Sequence, residues 1–237
     1  MERPVIMMSD LHLGDRRRSR EFEQKLLDDL RNELLRNQPE LVLNLGDTVS
    51  RKEFLRDDTD TKKEFLRYLE WRDALNLPFA ECAIEREAEF FEEMFHQNPQ
   101  SCWRLSDDFM VITLAPYESN DHLLSSEKIK YLADTLSSFD GHNVLIGTHV
   151  PWEGACSRPA KAGIYLDKVP ELVEVLKNSG KKIYWAGGHF HYPVEPIDME
   201  TNPCAFMGGC FAFNSSKKSF LRKLSFHNGI EISELFL

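Results

Sequence analysis

The sequence predicts an α/β fold, and three observations indicate it. Short apolar runs alternate along the chain with longer stretches in which apolar residues recur at helical spacing. Several of the apolar runs stop at a glycine or a polar loop before a helical stretch begins. The chain of 237 residues is long enough for one sizeable core and shows no linker or repeat, so we expect a single domain over residues 1–237.

The first two strand-and-helix units lie in the N-terminal third of the chain. Pro4–Met8 is an apolar run typical of a strand, and Ser19–Arg36 has the periodicity of an amphipathic helix. A second strand is predicted at Leu41–Leu45, followed by a charged, helix-like stretch over Arg51–Leu75. In an α/β sheet the functional loops are expected beyond the carboxyl ends of such strands.

The same alternation continues towards the C-terminus. Helical patterns are found at Glu85–Phe95, Ser126–Ser138 and Pro170–Asn178. Strands are predicted at Phe109–Leu114, Asn143–Ile146 and Lys182–Ala186, with closing strands within Cys204–Phe213 and Lys223–Leu237. The C-terminal part therefore supplies further strand ends at which functional loops are expected.

The composition is that of an ordinary globular protein. Hydrophobic residues make up 42% and charged residues 29% of the chain, and no apolar run approaches the roughly 20 residues that span a bilayer. Because the N-terminus also lacks a signal-peptide layout, we expect no membrane span and a cytoplasmic protein. The net charge of −10 disfavours broad electrostatic binding to nucleic acid. The five cysteines contain no CxxC pair, which favours reduced thiols.

Four of the apolar runs end in loops that carry a carboxylate or an imidazole. Oxygen and imidazole ligands together suit divalent Mn, Fe, Zn or Ni. In the D-x-H and H-x-H pairs, an extended segment would point residues i and i+2 to the same side, where both could hold one ion or two neighbouring ions. The sequence therefore predicts a metal site built from Asp10, His12, Asp47, His149, His189 and His191.

The motifs around these residues resemble those of a known family. SDLHLG at 9–14, LGD at 45–47, GTHVP at 147–151 and GGHFHYP at 187–193 follow the order found in the calcineurin-like metallophosphoesterases. Their signature comprises D-x-H, G-D, G-N-H-D/E, a separate His and a final G-H-x-H, of which four of five are present here. The resemblance implies a metallophosphoesterase-like α-β-β-α sandwich of two mixed sheets flanked by helices.

The resemblance also implies a role for each ligand. Asp10, His12 and His191 would hold a first ion, and His149 and His189 a second, with Asp47 as the bridging and catalytic carboxylate. The two divalent ions would lie about 3.5–4 Å apart. Mn is the favoured metal, and Fe, Zn, Ni and Mg are alternatives. The implied reaction is hydrolysis of a phosphomonoester or phosphodiester, in a small metabolite or nucleotide, by a metal-bridging hydroxide.

The fifth motif is replaced in this chain, since no G-N-H occurs in the sequence. The nearest register places Glu85 where the family has a metal-binding Asn and Arg86 where it has a catalytic His. A carboxylate can ligate a divalent ion and a guanidinium can bind phosphate oxygens, but Arg cannot act as a general acid near neutral pH. The replacement motivates an alternative function, a catalytically weakened metal-binding scaffold or regulatory protein with the same fold.

Candidate substrate-binding residues flank the metal loops. Arg16 belongs to a basic trio directly after the first loop, and for this trio both a phosphate contact and a solvated approach to the helix remain open. Trp152 and Arg158 lie after GTHVP, in a stretch rich in small residues. A substrate-binding rim of the site is the favoured interpretation of this stretch, and an ordinary surface loop with Trp152 packed under it is the alternative. The expected partner is a small phosphorylated substrate, nucleic acid is less favoured, and the sequence does not indicate an oligomeric state.

Overall fold

Two mixed β-sheets lie face to face in the computed structural model of the chain. The structure describes residues 3–82, 84, 91–98, 100–115, 124–151, 169–191, 197–198, 203–207, 219–225 and 231–237. In chain order, the described helices are α1 (Arg20–Asn37), α2 (Thr61–Asp73), α3 (Phe91–Phe95), α4 (Ser126–Ser138) and α5 (Pro170–Asn178). The described strands are β1 (Val5–Met8), β2 (Leu41–Asn44), β3 (Phe79–Glu81), β4 (Ser101–Arg104), β5 (Phe109–Thr113), β6 (Asn143–Gly147), β7 (Lys182–Gly187), β8 (Ile197–Asp198), β9 (Pro203–Met207), β10 (Phe220–Ser225) and β11 (Glu231–Phe236).

Each sheet has a parallel centre and antiparallel margins. The first sheet has the order β11-β10-β1-β2-β3. In it β1, β2 and β3 are parallel, β10 is antiparallel to β1, and β11 is antiparallel to β10. The second has the order β4-β5-β6-β7-β9-β8, with β5, β6, β7 and β9 parallel. Two parallel neighbours in each sheet, β1 with β2 and β6 with β7, therefore end at a common edge where their loops can meet.

Three apolar layers hold the sandwich together. The layer between the sheets contains Met7 and Leu43 from the first sheet and Val111 and Leu145 from the second. The outer face of the first sheet packs against α1, α2 and α3, and that of the second packs against α4 and α5. The predicted α-β-β-α sandwich of two mixed sheets is thus confirmed.

Side-chain caps fix the starts of three helices. Ser19, Asp60 and Ser125 have extended backbones, and their side chains accept hydrogen bonds from backbone N–H groups in the first turns of α1, α2 and α4. The cap at Asp60 explains where the prediction of a helix over 51–75 was wrong. The helix begins only at Thr61, because the residues before the cap bind the loop after β1. Leu55 forms a β-bridge with Asp15, and the backbone N of Arg56 donates to Gly14 O.

The other helices and strands agree with the pattern where they are described. The helix predicted at Glu85–Phe95 is seen as Phe91–Phe95, and residues 85–90 lie outside the described residues. The strands Phe79–Glu81, Ser101–Arg104 and Ile197–Asp198 were missed, because none of them is a nearly continuous apolar run like VIMM in β1 or LVLN in β2. In the described part of the chain, no helix combines the length and the apolar character needed to cross a bilayer.

Candidate metal centre

The loops after four strands, two from each sheet, meet at one edge of the sandwich. In the first sheet, the loops after β1 and β2 are joined by a hydrogen bond of 2.9 Å from Asp10 N to Gly46 O. Two bonds cross to the second sheet: the backbone N of His189 donates to Asp10 Oδ2 at 3.0 Å, and His149 Nδ1 lies 2.8 Å from Leu45 O. The loops therefore position one another, and the site spans both sheets.

One half of the site contains Asp10, His12, Asp47 and His191. One ligand atom from each of these side chains lies within 4.8 Å of every other. His191 Nε2 is 3.1 Å from Asp10 Oδ1 and 3.2 Å from His12 Nε2, and His12 Nε2 is 3.4 Å from Asp47 Oδ2. Asp10, His12 and Asp47 are buried, and His191 is half-buried. We call this group the first half.

The second half contains Asp47, His149 and His189. His149 Nε2 lies 3.5 Å from Asp47 Oδ1, and the rings of His149 and His189 are edge-on at 5.4 Å between centroids. Because a carbonyl only accepts, His149 Nδ1 donates to Leu45 O, and Nε2 is the ring nitrogen that faces Asp47 and is placed to bind a metal.

Asp47 lies between the two halves. Its Oδ2 faces His12 and its Oδ1 faces His149, so the two oxygens of one carboxylate point to opposite sides. This is the arrangement that a carboxylate needs to bind two neighbouring ions, one through each oxygen.

The backbone of these loops is strained rather than extended. Asp10, His12 and Asp47 have φ of 58°, 45° and 53°, and His189 and His191 have φ of 73° and 56°. The expectation that D-x-H and H-x-H are extended was therefore wrong. Asp10 and His12 still face the same half, with His12 Nε2 3.8 Å from Asp10 Oδ1, whereas His189 and His191 belong to different halves. Non-glycine residues in the left-handed region are uncommon, with Asp and His among the more tolerant. Such strain persists where surrounding contacts enforce it, and it clusters at functional sites.

Close approach of the two sheets requires glycine at position 188. A Cβ there would lie 2.9 Å from Ser9 Oγ and 3.1 Å from Asp10 Oδ2. A larger residue would therefore push the H-x-H loop away from the D-x-H loop and separate His191 from its partners in the first half.

The protonation states of Asp10 and His189 favour metal binding. Burial opposes the charge on Asp10, but the hydrogen bond and charge of His191 with the neighbouring histidines outweigh it and lower the pKa of Asp10 below 3.8. Burial, together with the charge of His149, lowers the pKa of His189 to about 4. Metal ions bind ionised carboxylates and neutral imidazoles. Near neutral pH, Asp10 is therefore ionised and His189 is neutral, which are the forms that bind a metal ion.

The spacing of the donor atoms also fits a divalent ion. With bonds of about 2.1 Å, neighbouring ligands are about 3.0 Å apart in an octahedron and about 3.4 Å apart in a tetrahedron. Three distances in the first half, 3.1, 3.2 and 3.4 Å, match these edges, and that between His12 Nε2 and Asp10 Oδ1 is longer, at 3.8 Å. A set of carboxylate oxygens and imidazole nitrogens suits Mn, Fe, Zn or Ni. The residues present thus fit a divalent metal.

A buried polar cluster beneath the Asp47 loop was not identified from the sequence. Asn44 Nδ2 donates to Thr48 Oγ1 at 2.8 Å and to Glu81 Oε2 at 2.7 Å, and its Oδ1 accepts from Gly46 N at 3.3 Å. Tyr68 donates its hydroxyl to Glu81 at 2.9 Å. A signal existed, because an Asn within the apolar run LVLNL is a polar group at a buried position that needs partners.

Glu81 makes stability depend on pH. Burial raises its pKa above 4.5, and Arg72 with the hydrogen bonds from Tyr68 and Asn44 offsets only part of that effect. The folded chain thus holds this proton more tightly than the unfolded chain, so the stabilisation is complete below pH 4.5 and is lost as pH rises through the raised pKa. We expect Glu81→Gln to gain stability relative to the unsubstituted protein as pH rises from 4 towards 8, measured by urea unfolding in EDTA. Glu53→Gln, on the surface, is the control, and a difference independent of pH would contradict the expectation.

Of the other predicted site residues, the structure describes Arg16 alone. Glu85, Arg86, Trp152 and Arg158 lie outside the described residues. Arg16 is exposed, and within the described part of the chain its side chain makes no hydrogen bond or ion pair.

The other two members of the basic trio are engaged by the protein. Arg17 pairs with Asp15 at 2.7 Å, and Arg18 donates to the carbonyls of Leu11 and His12. Within the trio, a contact with substrate phosphate therefore stays open for Arg16, whereas Arg17 and Arg18 bind groups of the protein.

Solved structures share this fold at low sequence identity. A dimetal phosphatase from Danio rerio aligns with a TM-score of 0.71 and 12% identity over 99% of this chain and 98% of that chain. PhoD aligns at 0.59 and 10% identity over 98% and 68%, and a phosphopantetheinyl hydrolase from Mycobacterium tuberculosis at 0.50 and 11% over 87% and 88%. No protein-family model and no curated protein matches the sequence. The agreement in fold is nonetheless extensive, and the chain has the calcineurin-like metallophosphoesterase fold that its motifs predicted.

Proposed function

We propose that this chain is a metal-dependent phosphoesterase that acts through two divalent ions. The observation that carries the proposal is the position of Asp47, whose two carboxylate oxygens face histidines in opposite halves of one buried cluster. The metallophosphoesterase fold supports it, since the D. rerio structure that shares the fold is described as a dimetal phosphatase.

The ligands divide between the two ions. Asp10, His12 and His191 would hold the first ion, His149 and His189 the second, and Asp47 would bridge them. When bound, two divalent ions lower the pKa of water and take up charge on phosphoryl oxygens.

The chain itself contributes orientation and a low-dielectric setting. The carbonyl of Leu45 fixes the tautomer of His149, and the backbone N–H of His189 holds the Asp10 carboxylate in place. Because Asp10 and Asp47 are buried, their charges are screened less by water and act more strongly on nearby cations.

The proposed substrate is a small phosphomonoester or phosphodiester, such as a metabolite or a nucleotide. Arg16 is an exposed cation four residues after His12 and supplies a candidate contact for a phosphate oxygen. The net charge of −10 supports a small substrate over nucleic acid. Glu85 as a metal ligand, Arg86 as a contact to the leaving oxygen, and Trp152 and Arg158 as a rim remain predictions, and Mn is the proposed metal.

A panel of aryl phosphates tests the function. Metal-free protein should be inactive on nitrophenyl monoesters and diesters, and addition of Mn should restore hydrolysis of at least one of them. His149→Ala should lower turnover about 100-fold or more by removing a ligand. His142→Ala is the matched control, because His142 is exposed and contacts Asp108 away from the cluster.

The outcomes separate the two functions considered. Hydrolysis that depends on Mn and on His149 supports the phosphoesterase. Bound metal without turnover on any ester would favour the alternative, a scaffold that retains the metal centre. A protein that binds no divalent metal would overturn both.

A further inference from the structure

The loop that carries Asp10 and His12 turns through three residues with left-handed backbones. These are Asp10, His12 and Gly14, with φ of 58°, 45° and 82°. Only the glycine adopts this conformation without steric cost. Bonds from outside the loop must therefore hold its shape, and their source identifies residues that act on the metal centre from a distance.

Arg18 provides the most direct of these bonds. Its Nη2 donates to the carbonyl of Leu11 at 2.6 Å and to that of His12 at 2.7 Å. One guanidinium group thus holds two consecutive carbonyls, one of them belonging to a ligand of the first half. Hydrogen bonds from a charged donor are about twice as strong as neutral ones, so this contact can offset local backbone strain.

Arg18 is itself held by a buried ion cluster. Arg56 donates to the backbone carbonyl of Arg18 at 2.6 Å and to Glu23 Oε1 at 2.9 Å. Glu23 also accepts from the backbone N of Gly14 at 3.1 Å and from Arg67 at 2.7 Å. The cluster therefore binds the turn at two places, directly at Gly14 and through Arg18 at the carbonyls of Leu11 and His12.

The carbonyls that Arg18 binds belong to the loop of the first half. That loop carries Asp10 and His12, whereas His149 and His189 are carried by loops of the other sheet. We propose that Arg18 is a positioning residue for the first metal ion: by gripping the carbonyls of Leu11 and His12 it fixes the His12 ring where that ion binds. The proposal rests on the proposed function.

Metal titration tests the proposal without relying on turnover. Metal-free Arg18→Met protein would be titrated with Mn by calorimetry, beside the unsubstituted protein, Arg18→Lys and Arg222→Met. We expect Arg18→Met to bind one of the two ions about 10- to 100-fold more weakly and the other within about twofold of the unsubstituted protein. Arg18→Lys should recover part of the loss, because it keeps the charge and can donate to the carbonyls, but it lacks the planar geometry of the guanidinium.

The control separates positioning from general destabilisation. Arg222 is a buried arginine that pairs with Glu234 at 2.9 Å across β10 and β11. Arg222→Met should bind both ions with unchanged affinity whatever its stability. At saturating Mn, Arg18→Met should keep its KM, since Arg18 is not a substrate contact.

Each remaining outcome decides the question. Unchanged affinity in Arg18→Met, equal weakening of both ions, or a raised KM at saturating Mn would overturn the positioning role while leaving the proposed function intact. If Arg18→Met does not fold in EDTA, Arg18→Lys carries the test, and unchanged affinity there would overturn it. Absence of metal binding by the unsubstituted protein would overturn both proposals.

Discussion

Replacing Asp47 by asparagine is expected to lower turnover about 1,000-fold or more, equivalent to about 4 kcal/mol of lost transition-state stabilisation. The amide keeps one oxygen but replaces the other by a nitrogen that does not bind metal. Because the two carboxylate oxygens face His12 and His149, either orientation of the amide deprives one half of the site of its oxygen. One ion should therefore lose a ligand atom, and both should bind more weakly because the negative charge between them is also lost.

The substitution should not act through misfolding. Asn accepts the left-handed region readily, so the φ of 53° at position 47 poses no new cost. Thermal unfolding in EDTA should show unchanged stability, while calorimetry shows weakened binding of Mn. Asp57→Asn, an exposed carboxylate in the same connection after β2, serves as the control. Asp47→Asn protein that retained a tenth of its activity at saturating Mn would contradict the bridging role.

The largest effect on stability is expected at Glu23. Its carboxylate has no exposed surface and accepts hydrogen bonds from Arg56 and Arg67, whose side chains are only 13% and 24% exposed. In Glu23→Leu these guanidinium groups lose that counter-charge. Removing one partner of a buried ion pair costs about 3–5 kcal/mol, and we expect about 3 kcal/mol here because Arg67 keeps Glu64 at 3.3 Å.

A neighbour on the same helical turn provides the control for Glu23. Glu21 is exposed, so Glu21→Leu should change the free energy of unfolding far less than Glu23→Leu does, mainly through the lost interaction with the helix dipole. Urea unfolding of both variants in EDTA measures the difference without any contribution from metal. Equal effects of the two substitutions would show that the cluster around Glu23 does not stabilise the fold.

The positions of the candidate ligands could be predicted because each lies just beyond a strand that the apolar pattern reveals. Asp10, Asp47 and His149 directly follow such runs, and the sheet brings the ends of parallel strands to one edge. The convergence of both sheets on one site came from the resemblance of the motifs, since periodicity does not specify how two sheets pack.

The supporting residues were harder to predict, for physical reasons. The bonds from Arg18 to Leu11 and His12 depend on a left-handed turn that no residue pattern encodes, apart from Gly14. Glu23 left a detectable signal, because it lies on the face of α1 that also carries Leu26, Leu27, Leu30 and Leu34. A carboxylate on an apolar helical face indicates a buried partner, but its identity depends on the tertiary structure.

The central claim is that two divalent ions share Asp47, and the number and coupling of bound Mn ions test it most directly. Electron paramagnetic resonance of metal-free protein titrated with Mn measures both. Two ions per chain with an exchange-coupled spectrum, lost in Asp47→Asn, is the predicted result. A single ion per chain at saturation, or two ions with the spectrum of isolated Mn, would contradict it.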